Sequence, residues 1–248
     1  MTTQTIKQSL GLSAELAEQY AHNWQNASFE QLADAFHQVT TSGRRFKVFA
    51  FQLSLQDTLA LVNAPQTEQI SICMSLVNGK WTPMLQGRSK NEAVRHFENC
   101  YLPTVLAEPI TMGANNYVPT TGYHSHQISD ELVKLYIKQW QQTAPSQLID
   151  AFHATVEKRQ RSRELFYQEE RVRYYHFSEE VTQELKAIQP DHITVFLGSG
   201  DAHSDHIFNF RPLLKVSKDE INAWFDFASP CPPFCGGGGG GGDSSLSV

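Results

Sequence analysis

The feature that most constrains this chain is a long internal similarity. Residues 13–37 read SAELAEQYAHNWQNASFEQLADAFH and residues 129–153 read SDELVKLYIKQWQQTAPSQLIDAFH, with 12 of 25 positions identical and no gap. Unrelated chains of ordinary composition agree at about one or two such positions. We interpret the similarity as a duplication. Because the period of about 120 residues is too long for a solenoid unit, we expect two copies of a small domain.

The similarity continues more weakly along the chain. Ser89-Lys-Asn-Glu92 parallels Ser217-Lys-Asp-Glu220 at an offset of 128 residues, whereas the first match has an offset of 116. The second copy therefore carries about 12 extra residues, by this comparison of offsets. We expect most of them between Arg159 and Tyr174.

Each copy begins with two predicted helices. Apolar residues recur at i, i+4 and i+8, which is one face of a helix; they are Leu16, Tyr20, Trp24 and Leu132, Tyr136, Trp140. Ser13 and Ser129 precede these helices as N-caps, and Ser28 to Gln31 has the spacing of a capping box. The spacing of Trp24 and Trp140 from the tyrosines favours packing in the core over lining a cavity.

Strands and a further helix follow in each copy. Residues 46–53 alternate as a strand does, with 172–177 as the counterpart, and helices are predicted over 55–62 and 178–188. A hairpin closes the unit through Asn78-Gly79, and in the second copy 193–197 and 207–216 flank a longer loop. The predicted fold class is α+β, an internal duplication of a helix-helix-strand-helix-strand-strand module in a pseudo-two-fold arrangement.

This organisation predicts four regions. They are a first α+β repeat at 1–100, a Pro/Gly-rich connector at 101–128, a second α+β repeat at 129–228 and a tail at 229–248. The tail combines Cys231-Pro-Pro-Phe-Cys235 with the glycine run 236–242. Because polyglycine has no side chain to bury and maximal backbone entropy, we expect the tail to be flexible.

Composition narrows the class of protein. With 40% hydrophobic residues, the 248-residue chain can bury a real core, and a net charge of −6 argues against a nucleic-acid partner. Four cysteines exclude a disulfide-built scaffold. No run of 18 apolar residues and no apolar signal at the start are present, so we expect a cytoplasmic protein without a membrane partner.

The best catalytic candidate is a His/Asp-rich loop. Residues 198–206 read GSGDAHSDH, and His203, Asp205 and His206 are ligand types for zinc or another divalent ion. His124 and His126 lie two residues apart, so in an extended segment they point to the same side and can join the same ion. We favour the alternative, in which residues 198–206 form a polar hairpin turn and His124 and His126 are an exposed pair in a loop. The reason is that the spacing matches no strong metal signature.

Three other features have ordinary structural explanations. His37 and His153 lie at the ends of the predicted second helices. A role as a general base and a structural contact with the helix terminus both fit this position. The charge-rich stretch 157–173 has i,i+4 spacings that favour a solvated helical face over an anion-binding patch. Cys231 and Cys235 are spaced for a disulfide, for half of a zinc site completed by Cys73 or Cys100, or for an attachment signal.

Three functional classes follow from these residues. The leading hypothesis is a non-enzymatic binding or assembly protein with a protein partner or self-association, because the repeated residues are packing residues. The second is a metal-dependent hydrolase that uses the loop 201–206, with Asp201 as base, since a bound metal lowers the pKa of water. The third is a precursor or carrier that presents the Cys/Gly tail for modification.

Overall fold

The structure is a computed structural model that describes residues 11–40, 42–89, 97, 99–106, 116, 128–144, 147, 152–159, 165–202, 207–226 and 228–231. The fold is mixed α+β, as the sequence predicted. The helices of the described ranges are α1 (Ala14–Asn26), α2 (Phe29–Ala35), α3 (Leu55–Asn63), α4 (Asp130–Gln142) and α5 (Glu179–Ile188).

A serine side chain starts each of these helices. Its hydroxyl oxygen accepts a hydrogen bond from a backbone N–H of the first turn, and the five serines are Ser13, Ser28, Ser54, Ser129 and Ser178. This bond satisfies a donor that has no partner within the helix. The predicted caps and the capping box from Ser28 to Gln31 are confirmed.

The strands are short in the first part of the chain and long in the second. In chain order they are β1 (His37–Val39), β2 (Arg45–Lys47), β3 (Ala50–Gln52), β4 (Gln69–Cys73), β5 (Leu76–Val77), β6 (Lys80–Trp81), β7 (Met84–Arg88), β8 (Cys100–Tyr101), β9 (Thr104–Val105), β10 (His153–Arg159), β11 (Leu165–Arg171), β12 (Tyr174–Phe177), β13 (His192–Ala202), β14 (Ile207–Lys218), β15 (Ile221–Phe225) and β16 (Ala228–Cys231). All the pairings between them are antiparallel.

Two five-stranded sheets form the body of the protein, and each mixes strands from both ends of the chain. One sheet has the order β16-β12-β4-β7-β8 and the other has the order β9-β3-β13-β14-β15. In the first sheet the inner pair β12-β4 joins a late strand to an early one, and in the second sheet β3-β13 joins an early strand to a late one. Each sheet therefore combines strands from the first and the second part of the chain.

Local turn chemistry explains the hairpin between β5 and β6. Asn78 and Gly79 have φ angles of 51° and 74°. Positive φ at both central residues is what a primed two-residue turn requires, and Asn-Gly is its preferred sequence. The predicted turn is therefore confirmed.

Three boundary predictions are wrong. The predicted single strand 46–53 is two strands, because β2 pairs with β1 whereas β3 pairs with β13 in the second sheet. The described residues of the stretch 157–173 are not helical, since 157–159 belong to β10 and 165–171 to β11, and these strands pair over seven residues. The predicted loop from Gly198 is strand up to Ala202, which pairs with Ile207. Helical i,i+4 pairs contribute only about 0.2–0.5 kcal/mol each, so strand pairing overrides them easily.

The strand pair β10-β11 extends over seven residues, against three in the pair β1-β2. His37 pairs with Lys47, which lies 10 residues farther along the chain, whereas His153 pairs with Arg171, which lies 18 residues farther along. Strand β16 takes up the first residues of the predicted tail, and residues 232–248 lie outside the described ranges.

The two indoles of the repeated motif form matching contacts in the core. Trp24 Nε1 donates to the Val172 carbonyl at 2.8 Å, and Trp140 Nε1 donates to the Val48 carbonyl at 2.9 Å. Both side chains have no exposed surface. The prediction that they pack in the core is confirmed, and each indole bonds to the backbone of the other part of the chain.

Candidate functional site

The predicted metal ligands cannot be placed. His203, Asp205, His206, His124 and His126 all lie outside the described residues. Asp201 is a backbone member of β13, paired with Phe208, and its side chain is likewise outside the description. Among the residues that are described, no group of three or more His, Cys, Asp or Glu side chains can hold a metal ion.

The two glycines before the His/Asp loop have a packing role. A Cβ at Gly198 would lie 2.9 Å from the Arg211 carbonyl oxygen and 3.0 Å from Tyr136 Cβ, and one at Gly200 would lie 2.8 Å from Tyr136 Cε1. Helix α4 therefore rests directly on the backbone of β13. Glycine allows this close approach because it has no side chain.

His37 and His153 occupy matching places at the starts of β1 and β10. The His37 ring lies with Nδ1 at 3.3 Å from the Ala33 carbonyl oxygen. Burial lowers the pKa of His37, and the nearby Arg45 guanidinium adds to the effect. The contact with the end of α2 fits the structural explanation of this residue.

The cysteines of the tail and of the core lie in different settings. Cys231 belongs to β16 and pairs with Tyr174, whereas Cys235 is outside the described residues. Cys73 and Cys100 are buried thiols that are not joined in a disulfide. Burial raises the pKa of Cys100 to about 12 and raises that of Cys73 as well. Because a metal binds the thiolate, this burial opposes their predicted role as zinc ligands.

A buried serine–histidine pair lies on the first sheet. Ser71 Oγ on β4 and His176 Nδ1 on β12 are 2.7 Å apart, a hydrogen bond of the kind that joins a nucleophile to its base. Burial and, to a smaller extent, the nearby Arg88 guanidinium lower the pKa of His176 to about 4. Sequence analysis missed this pair because nothing local predicts that β4 and β12 are neighbours.

The surroundings of this pair exclude substrate. Ser71 has no exposed surface and His176 is 5% exposed. The Tyr174 ring stacks on the imidazole with centroids 5.7 Å apart. A nucleophile must meet its substrate, so the pair in this conformation is a structural hydrogen bond between two strands.

The open site lies elsewhere, in a cleft that we call the α1-α2 cleft. It has a volume of about 620 Å³ and is bounded by α1, α2 and the β5-β6 turn. Polar side chains dominate its lining, which consists of His22, Asn23, Asn26, Ala27, Glu30, Gln31, Asp34, Leu76 and Gly79. Serine-capped helices place these side chains on one rim because they recur three or four residues apart.

The acidic residues of the α1-α2 cleft are already paired. Asp34 bridges Arg45 and Lys80, each at 2.8 Å, and the bond from Lys80 lowers the pKa of Asp34. Glu30 accepts a hydrogen bond from Ser28 Oγ, which lowers the pKa of Glu30. Both groups are therefore ionised at neutral pH, and they fix the rim of the cleft rather than present a free carboxylate.

The amide side chains are the adaptable groups of the α1-α2 cleft. Asn26 Nδ2 donates to the His22 carbonyl at 2.8 Å, and Asn23 Nδ2 makes a long contact of 3.4 Å with the Leu76 carbonyl. Their Oδ1 atoms remain as acceptors. Amides can both donate and accept, so this rim can pair with the peptide groups of another chain.

Comparison of the chain with protein-family models, with curated proteins and with solved structures gave no match. In the described residues, the structure contains no helix that is both long and apolar enough to cross a lipid bilayer.

Proposed function

We propose that this protein is a non-enzymatic binding or assembly protein, built by duplication of an α+β module around a pseudo-two-fold axis. The matching strand orders of the two sheets support the duplication. The exchanged bonds from Trp24 to Val172 and from Trp140 to Val48 support the pseudo-two-fold arrangement.

The observation that supports a binding function is that the reactive side chains are buried whereas the side chains of the α1-α2 cleft are accessible. The Ser71–His176 pair and the Cys73 and Cys100 thiols are buried, whereas the α1-α2 cleft is open and lined with amides. Catalysis needs reactive groups that touch a substrate, and recognition needs accessible donors and acceptors around an apolar floor. This distribution favours recognition.

The partner that fits the α1-α2 cleft is a segment of protein. Asn23 and Asn26 offer amide groups that match a peptide backbone, and Ala27 and Leu76 supply a small apolar floor. The partner is either another protein or a second copy of this chain. A cytoplasmic location belongs to the proposal and is supported by the two buried core thiols, which form no disulfide with each other.

A pair of matched helix variants tests the proposal. His22 on α1 lines the cleft, and Lys138 stands at the equivalent position of α4, so both His22→Trp and Lys138→Trp place an indole on an exposed helix face. The full-length protein and both variants are used to capture proteins from extract of the source organism, with quantitative mass spectrometry. We expect a partner that wild type and Lys138→Trp capture and that His22→Trp loses. Identical captured sets for all three proteins would refute the proposed cleft.

Metal content separates this function from hydrolysis by the His/Asp loop. For the binding protein, we expect purified full-length protein to hold zinc or other divalent metal well below one ion per chain. One tightly held ion per chain that is lost in a His203→Ala, His206→Ala variant would favour the hydrolase. An added mass confined to the tail of the native protein would favour the carrier.

A further inference from the structure

A second hollow shares none of its lining residues with the α1-α2 cleft. We call it the β2 hollow. It has a volume of about 420 Å³ and is lined by Thr40, Arg44, Arg45, Phe46, Lys47, Phe49 and Gln141. This volume falls within the usual range for small-molecule sites.

The lining of the β2 hollow carries three cations and no carboxylate. Asp34 touches the site from outside, through its ion pair with Arg45 at 2.8 Å. Arg44 is exposed, and its guanidinium has no ion pair among the described residues. In a chain of net charge −6, a hollow lined by cations is a local reversal of sign that attracts anions.

The backbone fixes the position of Arg44. Thr40 accepts a hydrogen bond from the Arg44 N–H through its hydroxyl oxygen at 3.0 Å, and the Thr40 N–H donates to the Arg44 carbonyl at 2.9 Å. Gly43 makes the turn with a φ angle of 81°. This turn holds the start of the Arg44 side chain beside the hollow, so less freedom is lost when a ligand binds.

Lys47 forms the polar floor of the hollow. Its ammonium group donates to the Trp140 and Thr143 carbonyls and lies 4.3 Å from the centroid of the Trp140 ring. Two of its three N–H bonds are therefore engaged with the end of α4. The charge is held in place and one donor remains.

Two phenylalanine rings complete the site. Phe46 is half-buried and Phe49 is 9% exposed, and both line the hollow beside the cations. Aromatic rings next to guanidinium groups can receive the planar part of a ligand while the guanidinium receives its anionic part.

The second half of the protein lacks this chemistry at the equivalent place. Lys47 pairs with His37, and Arg171 pairs with His153, so Lys47 and Arg171 are equivalent. Counting back from them, Arg45 corresponds to Glu169 and Phe46 corresponds to Glu170. Lys47 and Arg171 each donate a hydrogen bond to a carbonyl at the end of a helix, so this contact occurs in both halves. The cationic neighbour Arg45 and the aromatic neighbour Phe46 occur beside Lys47. Packing alone therefore does not require Arg45 and Phe46 at these positions.

We propose that the β2 hollow binds a small organic anion in which a phosphate or carboxylate group is joined to a planar ring. The anionic group pairs with Arg44 and the free donor of Lys47, and the ring lies against Phe46 and Phe49. The site is separate from the α1-α2 cleft, and the two share only the Asp34–Arg45 ion pair at their border.

Isothermal titration calorimetry on the full-length protein tests the site. The probes are phenyl phosphate and benzoate, with phenol and inorganic phosphate as fragments that lack one part of the ligand. We expect at least one of the two ring-bearing anions to bind, more tightly than either fragment and more weakly at 200 mM than at 20 mM salt. This tenfold change in salt shortens the electrostatic screening length by about threefold.

Two exposed arginines provide the variants. Arg44→Gln should weaken binding by about tenfold or more, because it removes a charge-assisted hydrogen bond. Arg173→Gln, an equally accessible arginine in the second half, should change affinity less than about twofold. No heat from either ring-bearing probe, equal effects of the two variants, or equal affinity for a probe and one of its fragments would each overturn the proposal.

Discussion

Phe36 and Phe152 stack face to face at the centre of the core, with ring centroids 5.4 Å apart and an angle of 4° between the ring planes. They occupy the same position in the two similar stretches. Each ring also meets the indole of the other stretch edge-on, Phe36 with Trp140 at 5.3 Å and Phe152 with Trp24 at 5.2 Å. Two of the identical positions, those of the phenylalanines and of the tryptophans, thus hold the two stretches together.

The stacked pair predicts coupled stability. Phe36→Leu and Phe152→Leu should each lower the free energy of unfolding by about 1–3 kcal/mol, since each leaves an imperfectly filled core. The double variant should lose less than the sum of the two, by about 0.5–1.5 kcal/mol, because the ring–ring interaction is lost only once. Urea denaturation of the four proteins measures this. Strict additivity would contradict direct coupling of the rings.

The cationic clamps predict a second effect on stability. Arg171 Nη1 donates to the carbonyls of Trp24 and Ala27, at the end of α1, as Lys47 does at the end of α4. Arg171→Met should cost about 2–3 kcal/mol in unfolding free energy, because it leaves these carbonyls without a charged donor.

The matched substitution is Arg171→Lys, which should recover most of that loss because lysine performs this role at the other site. Arg173→Met serves as the surface control and should change stability by less than about 0.5 kcal/mol. Equal losses for Arg171→Met and Arg171→Lys would show that the ammonium cannot replace the guanidinium here.

His176 predicts a dependence of stability on pH. Its pKa in the folded protein is about 4, and its ordinary value is 6.5, so between these values the unfolded chain binds more protons. Stability from this group is complete above pH 6.5 and is lost as the pH falls towards 4, by about 3 kcal/mol at most. Ser71, Tyr174 and Arg88 are the polar groups around the imidazole.

His176→Gln should remove this dependence. Glutamine suits the place, because Gln52 stands opposite Thr194 in the second sheet as His176 stands opposite Ser71 in the first. Denaturation at pH 7 and pH 4 should show that wild type loses about 3 kcal/mol more than the variant over this range. The same pH profile for both proteins would mean that His176 does not titrate in this window.

The contact between β13 and α4 predicts a suppressible steric effect. Gly200→Ala places a methyl group against the Tyr136 ring and should cost about 1–2 kcal/mol. In a Tyr136→Ala background the same change should cost less than about 0.5 kcal/mol, since the ring is gone. Thermal melts of the four proteins decide the question, and an equal cost in both backgrounds would place the strain elsewhere.

The mixed sheets predict that the two parts of the chain cannot separate. Co-expressed fragments 1–110 and 111–248 should assemble into a 1:1 complex, because each sheet needs strands from both. Size-exclusion chromatography with and without urea measures the association. Two folded fragments that elute separately in native buffer would contradict both the sheet topology and the proposed duplication.

Local signals in the sequence determined the local structure. The serine caps, the helical spacing of the tryptophans and the Asn78-Gly79 turn each depend on residues within a few positions, and each was predicted correctly. The alternation 172–177 predicted a strand, and β12 covers most of it. The hairpin β10-β11 was missed, because charge spacing over one turn is too weak to decide between helix and strand.

Strand partners were decided only by the tertiary structure. Alternation shows which residues share a face of a strand, but not which strand lies beside it. The Ser71–His176 bond, the two clamps, the α1-α2 cleft and the β2 hollow all join residues from distant parts of the chain or from separate elements. The sequence alone therefore determined the elements, their caps and the aromatic residues of the core, while folding in three dimensions chose which groups were sealed inside and which were left open to a ligand.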